Sequence, residues 1–385
     1  MQAQIFHTRS RVPELDALRG LAAAMVVFSH FDALWVWESK PVWIRQVLSS
    51  PLRVLVGGHE AVILFFLISG FALSVPYLQP QAPGYFSFLS KRIFRIYVPY
   101  LAALMLAIAG AAAFQGHVTN VSPGMPPWFE HTWSEPVDGG LVLRHIEFLG
   151  SYDNRQFNAA FWTLIHEMRI SFVFPALFLA VRAMRARGTL ALAAAMLAFT
   201  SLISGFGGGD GLATLHYVGL FLIGSLIAQH RDAIAEWYRR LDGSARVALG
   251  LSALILFIYG RAVETWGRWQ VEDWATALGA AGVLIVAMNA AAASGFLRRP
   301  ALQRLGSVSY SIYLVHLVVL LALVHGLPRW FPPAAVFALY VVFTAVTAWL
   351  FHAAVERPAM EAGRRAAAWM ETVRAIPRLA VMRPR

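Results

Sequence analysis

Long apolar segments recur along the whole chain, and they restrict it to one class of fold. A transmembrane helix needs about 20 predominantly apolar residues, and this sequence of 385 residues offers ten segments near that length. A hydrophobic fraction of 58% and a charged fraction of 14% agree with a membrane protein and exclude an ordinary water-soluble globule. We predict an all-α polytopic membrane protein with about ten transmembrane helices, at residues 18–37, 61–78, 96–114, 160–181, 189–204, 212–228, 245–260, 274–293, 308–326 and 333–354.

The basic residues indicate how these helices are oriented. Most of the 32 Lys and Arg residues fall on alternate connecting segments, whereas Arg169 falls inside a predicted span. Basic residues concentrate on the cytoplasmic side of membrane proteins, so we expect both termini in the cytoplasm. This orientation, with attraction to the anionic inner leaflet, accounts for the net charge of +11. The charge therefore predicts a lipid bilayer as partner, and no nucleic acid.

We expect the spans to form one membrane domain, residues 1–355, followed by a basic cytoplasmic tail, residues 356–385. The first apolar segment lacks the short core and cleavage site of a signal peptide, which indicates a retained span. The stretch from Gln115 to Ala159 is rich in Pro, Trp and Gly and faces outward in this topology, where we expect a lid or vestibule. The sequence contains no cysteine, which excludes disulfides and a cysteine nucleophile.

Ionisable residues on the first span form the first candidate site, because such residues are costly inside a membrane. Arg19 and His30 are eleven residues apart, close to three helical turns, so they share one helix face about 16 Å apart. The topology places Arg19 at the inner surface and His30 near the bilayer centre. A histidine there serves either proton transfer or helix packing, and the spacing alone is consistent with both roles.

The fourth span begins with a charged group, His166, Glu167 and Arg169, near the outer surface of the predicted topology. Glu167 faces a different side of the helix from the other two, and we predict that it approaches His30 from the outer side as a catalytic carboxylate. The alternative is a Glu–Arg pair neutralised between helices. We expect no metal, because Ile170 stands where a zinc-binding His-Glu-x-x-His motif requires its second histidine.

Two further groups lie at the inner surface of the predicted topology. Arg92 and Arg95 are three residues apart on one helix face, which indicates either a phosphate clamp or only a topology signal. Ser309, Tyr313 and His316 form a polar stripe that leads inward along the ninth span, with hydrogen bonding between helices as the competing account. Together with the residues above, these groups predict a path for chemistry across the membrane.

In this order the motifs resemble those of the membrane-bound acyltransferase-3 family. LDALRG followed by His30 is similar to the family's Arg-x10-His signature, ILFFLISGFALS to its second-span motif, and RIFR to its Arg-x-x-Arg motif. FWTLIHEMRISFVFP resembles its Trp-x-Leu-x-x-Glu block, and YSIYLVH and the later ERP at residues 356–358 resemble its last two blocks. Ala17 departs from the usual glycine of the first block.

The resemblance implies an O-acyltransferase of the bacterial cytoplasmic (inner) membrane, which takes an acyl group, expected to be acetyl, from cytoplasmic acyl-coenzyme A. The implied acceptor is a hydroxyl of an exported polysaccharide or lipopolysaccharide. A small molecule of the macrolide type or a lipid is an alternative acceptor, and a proton-coupled transporter or flippase is the alternative from another class. We expect His30 as catalytic base with Glu167 as second catalytic residue, and as donor-binding residues Arg19, Arg92, Arg95, Tyr313 and His316.

Overall fold

The computed structural model describes residues 12–115, 132–203, 209–260, 269–328 and 330–381, together with residue 126. Over these residues the chain is helical and contains no strand. Seven helices are long and apolar enough to cross a membrane, or eight if two helices that meet at an 89° bend form one span. The predicted all-α polytopic class is therefore confirmed, while the count of about ten spans and the side of the termini stay predictions.

The described residues form α-helices that we number in chain order, leaving out the shorter 3-10 turns. They are α1 (Pro13–Asp32), α2 (Val42–Leu48), α3 (Gly58–Ser74), α4 (Tyr85–Phe114), α5 (Gly139–Glu147), α6 (Trp162–Ala183), α7 (Ala186–Ile203), α8 (Asp210–Gln229), α9 (Arg231–Arg240), α10 (Gly243–Tyr259), α11 (Trp269–Asn289), α12 (Ala291–Leu297), α13 (Pro300–Ser307), α14 (Ser309–Gly326), α15 (Pro333–Phe351) and α16 (Arg357–Val381).

The first helix ends earlier than the predicted span 18–37. It begins at Pro13, a residue suited to the first helical turn, and ends at Asp32. The ammonium of Lys40 folds back onto this end, where it lies 2.6 Å from the Asp32 carboxylate and donates to the Asp32 carbonyl at 2.7 Å. This contact satisfies a terminal carbonyl and neutralises the carboxylate, so the chain leaves the helix there. Both candidate residues of the first span lie on this one helix, as predicted.

Two other predicted segments also have different limits in the structure. The predicted span 96–114 is the second part of a 30-residue helix, α4, which begins at Tyr85. The predicted span 274–293 crosses the break after Asn289, where α11 and α12 meet at 89°. Apolar length alone does not locate these limits, because polar residues continue the helix in α4, whereas apolar residues continue past the break in α11.

Helix α3 is the most buried of the seven candidate spans, and it packs closely against α8. A Cβ atom placed on Gly224 would lie 2.0 Å from the Leu67 carbonyl oxygen, and one on Gly70 would lie 2.2 Å from the Phe221 carbonyl oxygen. Neither distance admits a side chain. Small residues allow membrane helices to approach closely, and here they place α3 at the centre of the helices that surround the site.

The C-terminal helix α16 lies along α4. It follows α15 through one turn of π-helix, His352–Glu356. A Cβ atom on Gly363 would lie 2.7 Å from the Phe94 Cβ, and the Gly84 N–H donates to the Glu371 carboxylate at 2.9 Å. The described part of the predicted tail is thus a docked helix, while residues 382–385 lie outside the described residues.

The described part of the segment between α4 and α6, the predicted lid, packs onto the helices. Its residues 116–125 and 127–131 lie outside the described residues. On α5, the buried imidazole of His145 lies 2.9 Å from the Tyr100 hydroxyl. Burial lowers the pKa of His145 to about 4, so this imidazole is neutral at physiological pH. The described part therefore forms a packed wall beside α4.

Candidate active site

A cavity of about 730 Å³ lies between helices α1, α3, α4, α6, α14 and α16. We call it the arginine pocket, because five arginines line it together with three carboxylates. Such a combination inside a membrane protein indicates a site for an anionic ligand, since guanidinium groups bind phosphate and carboxylate oxygens in pairs. The charged lining residues are Asp16, Arg19, Arg92, Arg95, Glu167, Arg357, Glu361 and Arg364.

Glu167 contacts Arg92, so the prediction that it approaches from the outer side is wrong. Its carboxylate lies 2.5 Å from the Arg92 guanidinium, which also donates to the Ser171 hydroxyl at 3.2 Å. The reason is the depth at which α6 begins, because Phe161, just before that helix, lies 4.8 Å in ring centroid distance from Tyr100, halfway along α4. The second turn of α6 therefore reaches the level of the arginines, and the alternative of a Glu–Arg pair between helices describes this contact.

Arg95 contacts a carboxylate that the sequence does not identify as a site residue, Glu356. Glu356 is fully buried and also accepts hydrogen bonds from the Ser311 hydroxyl at 2.5 Å and from the His352 imidazole at 2.9 Å. The Arg95 guanidinium in addition lies over the Tyr310 ring, 5.0 Å from its centroid. The only sequence signal for Glu356 is its place in the ERP motif after the last span, and its buried contacts show that it orients Arg95.

Arg19 is held less tightly than the other two arginines near the middle of the pocket. Among the described residues, its ion-pair partner is Asp16, at 3.6 Å, which is too long for a hydrogen bond. The Arg19 side chain is 26% exposed and lines the cavity. Its guanidinium therefore has donors to offer a ligand.

Two aromatic side chains line one part of the arginine pocket, which we call its deep end. The rings of Phe65 and Tyr313 lie 6.0 Å apart there. The Tyr313 hydroxyl donates to the Ala160 carbonyl at 2.7 Å, and it accepts a hydrogen bond from the Thr163 hydroxyl at 2.5 Å. Tyr313 thus presents its ring to the cavity and fixes α14 against the start of α6.

Two histidines form a pair beyond this deep end. Nε2 of His316 lies 3.3 Å from Nδ1 of His30, and the ring centroids are 4.9 Å apart. The other nitrogen of His316, Nδ1, lies 2.7 Å from the Tyr313 carbonyl oxygen, while Nδ1 of His30 lies 2.9 Å from the Val26 carbonyl oxygen. Carbonyl oxygens only accept, so both Nδ1 atoms carry hydrogen. In the neutral imidazole, Nε2 of His30 then holds a lone pair that can accept a proton or attack a carbonyl carbon.

The structure thus sorts the sequence-predicted residues into two adjoining groups. Arg19, Arg92, Arg95, Glu167 and Tyr313 line the arginine pocket. His30 and His316 do not line the pocket, but the centroid of the His316 ring is 5.8 Å from that of the Tyr313 ring. The Tyr313 ring therefore borders both the arginine pocket and the histidine pair.

Arg169, the other charged residue of the fourth predicted span, lies outside the arginine pocket. The Arg169 guanidinium donates to the carbonyl oxygens of Leu149 at 2.7 Å and Gly150 at 2.8 Å, and to the Thr214 hydroxyl at 3.2 Å. Its neighbour His166 contacts the same Thr214 hydroxyl at 2.8 Å. These two residues join the segment before α6 to α8, and they do not line the arginine pocket.

A second buried group of ionisable residues lies outside the arginine pocket, and we call it the histidine–aspartate cluster. The fully buried Asp273 carboxylate contacts the imidazoles of His59 at 2.8 Å and His216 at 3.2 Å. The other nitrogen of His216 lies 3.1 Å from the Thr200 hydroxyl. Among the described residues, no set of three or more His, Asp or Glu side chains is arranged to hold a metal ion.

Known proteins resemble this chain in sequence. A family model described as an acyltransferase domain matches residues 12–353. A curated relative, the O-acetyltransferase PaAT-1 of Phomopsis amygdali, is 31% identical over an alignment of 140 residues that covers 31% of this chain. The matching stretch spans 28% of the length of that relative. No solved structure matches the chain.

Proposed function

The chain belongs to this acyltransferase family, and from that premise we propose that it is a membrane O-acyltransferase. It transfers an acyl group, which we take to be acetyl, from acyl-coenzyme A in the arginine pocket to a hydroxyl of the acceptor. The observation that carries this proposal is the cavity lined by arginines whose deep end adjoins the histidine pair. The name of the fungal relative supports an oxygen acceptor and an acetyl group.

The arginine pocket suits the donor because coenzyme A carries a pyrophosphate that guanidinium groups bind well. Glu167 and Glu356 hold Arg92 and Arg95 in place, and Arg19 offers donors of its own. With the pyrophosphate bound to these arginines, the pantetheine arm follows the cavity past the aromatic deep end. The thioester then lies next to the histidine pair.

The histidine pair suits the transfer step. Nε2 of His30 accepts the proton of the acceptor hydroxyl as its oxygen attacks the thioester carbonyl. The bond between carbon and sulfur breaks, and the proton passes from His30 to the leaving thiolate, which departs as free coenzyme A. His316 acts as a positioning residue, because the hydrogen bond between the two imidazoles keeps the proton of His30 on Nδ1.

Besides His316, which was predicted to bind the donor, two more residues take roles that differ from those predicted by sequence. Glu167, predicted as a catalytic residue, acts through Arg92 by holding its guanidinium toward the cavity. Tyr313, predicted to bind the donor, contributes ring packing along the pantetheine path, since its hydroxyl is bonded to Ala160 and Thr163. Both are therefore proposed as positioning residues.

The substitution His30→Ala tests the transfer step. Inside-out vesicles that contain the protein receive labelled acetyl-coenzyme A, and acylated acceptor is measured. We expect transfer to fall by about 10²-fold or more, because the catalytic base is lost. The protein itself remains folded in the membrane, as size-exclusion chromatography and thermal unfolding would show.

The matched control is His166→Ala. It also removes a histidine from a membrane span, but His166 does not line the pocket. It should retain transfer. Full activity of His30→Ala would contradict the proposed base, whereas a wild-type protein that forms no acylated product would favour the transporter or flippase.

We propose an exported polysaccharide or lipopolysaccharide as the acceptor, and the bacterial cytoplasmic membrane as the location, with both termini inside. The apolar helices support a multi-pass membrane protein. Deletion of the gene followed by mass analysis of the surface glycan tests the acceptor, and loss of O-acetyl groups is the expected result. An unchanged glycan together with loss of an acylated lipid or small molecule would assign the activity to the alternative acceptors.

A further inference from the structure

The C-terminal helix α16 supplies part of the arginine pocket although it follows the family match. That match ends at residue 353, and α16 begins at Arg357. Four of its residues line the cavity, namely Arg357, Met360, Glu361 and Arg364. Arg357 belongs to the ERP motif that resembles the family's last block, but the resemblance assigns no role to it or to the other three residues. This wall follows the contact between Glu356 and Arg95 and lies on the side of Arg95 away from the histidine pair. We call this end of the cavity the mouth.

The mouth is held in a fixed position relative to the arginines inside. The contact between Arg95 and the buried Glu356 immediately precedes α16 and joins it to α4. Between Glu361 and Arg364, Gly363 packs directly against Phe94, and beyond the mouth the Glu371 carboxylate accepts a hydrogen bond from the N–H of Gly84, the residue before α4. Contacts on both sides of the mouth thus bind α16 to the helix that carries Arg95, so the two sets of arginines have a defined separation.

Charge is unbalanced at the mouth. Glu361 is the common ion-pair partner of Arg357, at 3.2 Å, and of Arg364, at 3.9 Å. These two guanidinium groups are largely exposed, whereas Arg92 and Arg95 each contact a carboxylate of their own. One carboxylate for two guanidinium groups leaves the mouth positive, and a second anionic group of a ligand would balance it.

We propose that Arg357 and Arg364 bind the 3′-phosphate of coenzyme A, an inference that rests on the proposed donor. The order of groups along the donor is thioester, pantetheine, pyrophosphate and then the ribose with its 3′-phosphate. Along α14, Tyr310 lies against Arg95, and Tyr313 and His316 follow at intervals of about one turn. Helix α16 leads the other way along α4, from the contact between Glu356 and Arg95 to Phe94 and Gly84. The order along the cavity is therefore the histidine pair, the aromatic deep end, the inner arginines and then the mouth. A phosphate monoester carries close to two negative charges at neutral pH, which suits two guanidinium groups that share one carboxylate.

Comparison of coenzyme A with 3′-dephospho-coenzyme A tests this assignment. Both ligands are titrated by calorimetry into the full-length protein in detergent. Wild type should bind coenzyme A about tenfold more tightly, because the analogue lacks the phosphate monoester. The double variant Arg357→Ala, Arg364→Ala should bind both ligands with the affinity of wild type for the analogue, and its KM for acetyl-coenzyme A should rise with kcat unchanged.

Helix α9 offers a matched control, since Glu236 there likewise contacts two exposed arginines, Arg239 and Arg240. None of the three lines the arginine pocket. The double variant Arg239→Ala, Arg240→Ala removes the same charge and should keep the tenfold preference. This control separates a local phosphate contact from a general effect of net charge.

The outcomes distinguish this inference from the proposed function. Should the α16 double variant retain the wild-type preference, the mouth does not bind the 3′-phosphate, even though coenzyme A remains the donor. Equal affinity of wild type for the two ligands would have the same meaning. Absence of binding of either ligand to wild type would overturn the proposed donor and this inference with it. Thermal unfolding of each variant verifies that it is folded.

Discussion

The arginine pocket and the histidine–aspartate cluster both place ionisable groups among membrane helices, but their surroundings differ. In the first, guanidinium and carboxylate groups face a cavity of about 730 Å³. In the second, Asp273 and His216 are completely buried and contact each other. Charge among membrane helices thus accompanies either ligand space or complete internal pairing, and the cavity, rather than the charge, distinguishes a candidate active site from a packing device.

The arginine pocket and the histidine–aspartate cluster also differ in how the free-energy cost of placing charged groups among membrane helices is offset. An isolated charge at the centre of a bilayer costs about 2.5–3.5 kcal/mol on insertion scales. The cluster offsets this cost by joining four helices, since Thr200, His216, His59 and Asp273 lie on α7, α8, α3 and α11. The arginine pocket offsets it by pairing and by exposure, because the Arg92 and Glu167 side chains remain 14% and 22% exposed. Substitutions in the cluster should therefore act on stability, and substitutions in the pocket on activity.

The substitution Asp273→Ala should have the largest effect on stability. It removes the acceptor of two imidazoles inside the protein, and each buried polar group that loses its hydrogen-bond partner costs about 1–3 kcal/mol. Thermal unfolding in detergent should show a much lower midpoint, while Asp273→Asn, which keeps one oxygen acceptor, should lose less. An unchanged midpoint for Asp273→Ala would show that the cluster does not serve packing and would remove the basis of the comparison.

Glu167→Gln should affect donor binding more than stability, the opposite of what is expected for Asp273→Ala. Arg92 loses its ionic partner, so we expect the KM for acetyl-coenzyme A to rise about tenfold, the effect of roughly one charge-assisted hydrogen bond. The unfolding midpoint should move much less than in Asp273→Ala, because the pair is partly exposed and the amide still accepts a hydrogen bond. Kinetics and unfolding measured on the same preparation test both statements. A large loss of stability with unchanged KM would place Glu167 with the cluster instead.

Helical periodicity was sufficient to predict how residues on one helix relate to each other. Arg19 and His30 lie on a single helix, as their spacing indicates. Arg92 and Arg95 likewise line one cavity from one helix. The reason is that 3.6 residues per turn fixes direction and distance along an isolated helix without reference to its neighbours. This part of the candidate site follows from local sequence.

Contacts between helices did not follow from local sequence. Glu167 reaches Arg92 because α6 begins at the level of Tyr100, and apolar length does not report the relative depth of two helices. The partners His59 and Asp273 are 214 residues apart, so no i to i+4 spacing relates them. Whether a span residue faces a cavity or a partner depends on helix packing, which the sequence pattern does not specify.

Raising the salt concentration should weaken donor binding in the arginine pocket without destabilising the histidine–aspartate cluster. This is the smallest of the expected effects. The Debye length falls from about 10 Å at 0.1 M ionic strength to about 3 Å at 1 M, so charges in contact with water are screened. The arginine pocket opens at a mouth with exposed arginines, and the KM for acetyl-coenzyme A should rise a few-fold over this range of potassium chloride. Asp273 is completely buried, so screening should not weaken its two contacts.

Parallel measurements in one salt series decide this point. The unfolding midpoint should stay nearly constant while the KM rises, and kcat should not change, because the histidine pair does not line the pocket whose exposed arginines are screened. The variant Arg357→Ala, Arg364→Ala should show a smaller salt dependence of KM than wild type, since two of the screened charges are gone. If the unfolding midpoint fell in step with the rise in KM, water would reach both groups of charges. The distinction between a ligand cavity and an internally paired cluster would then fail.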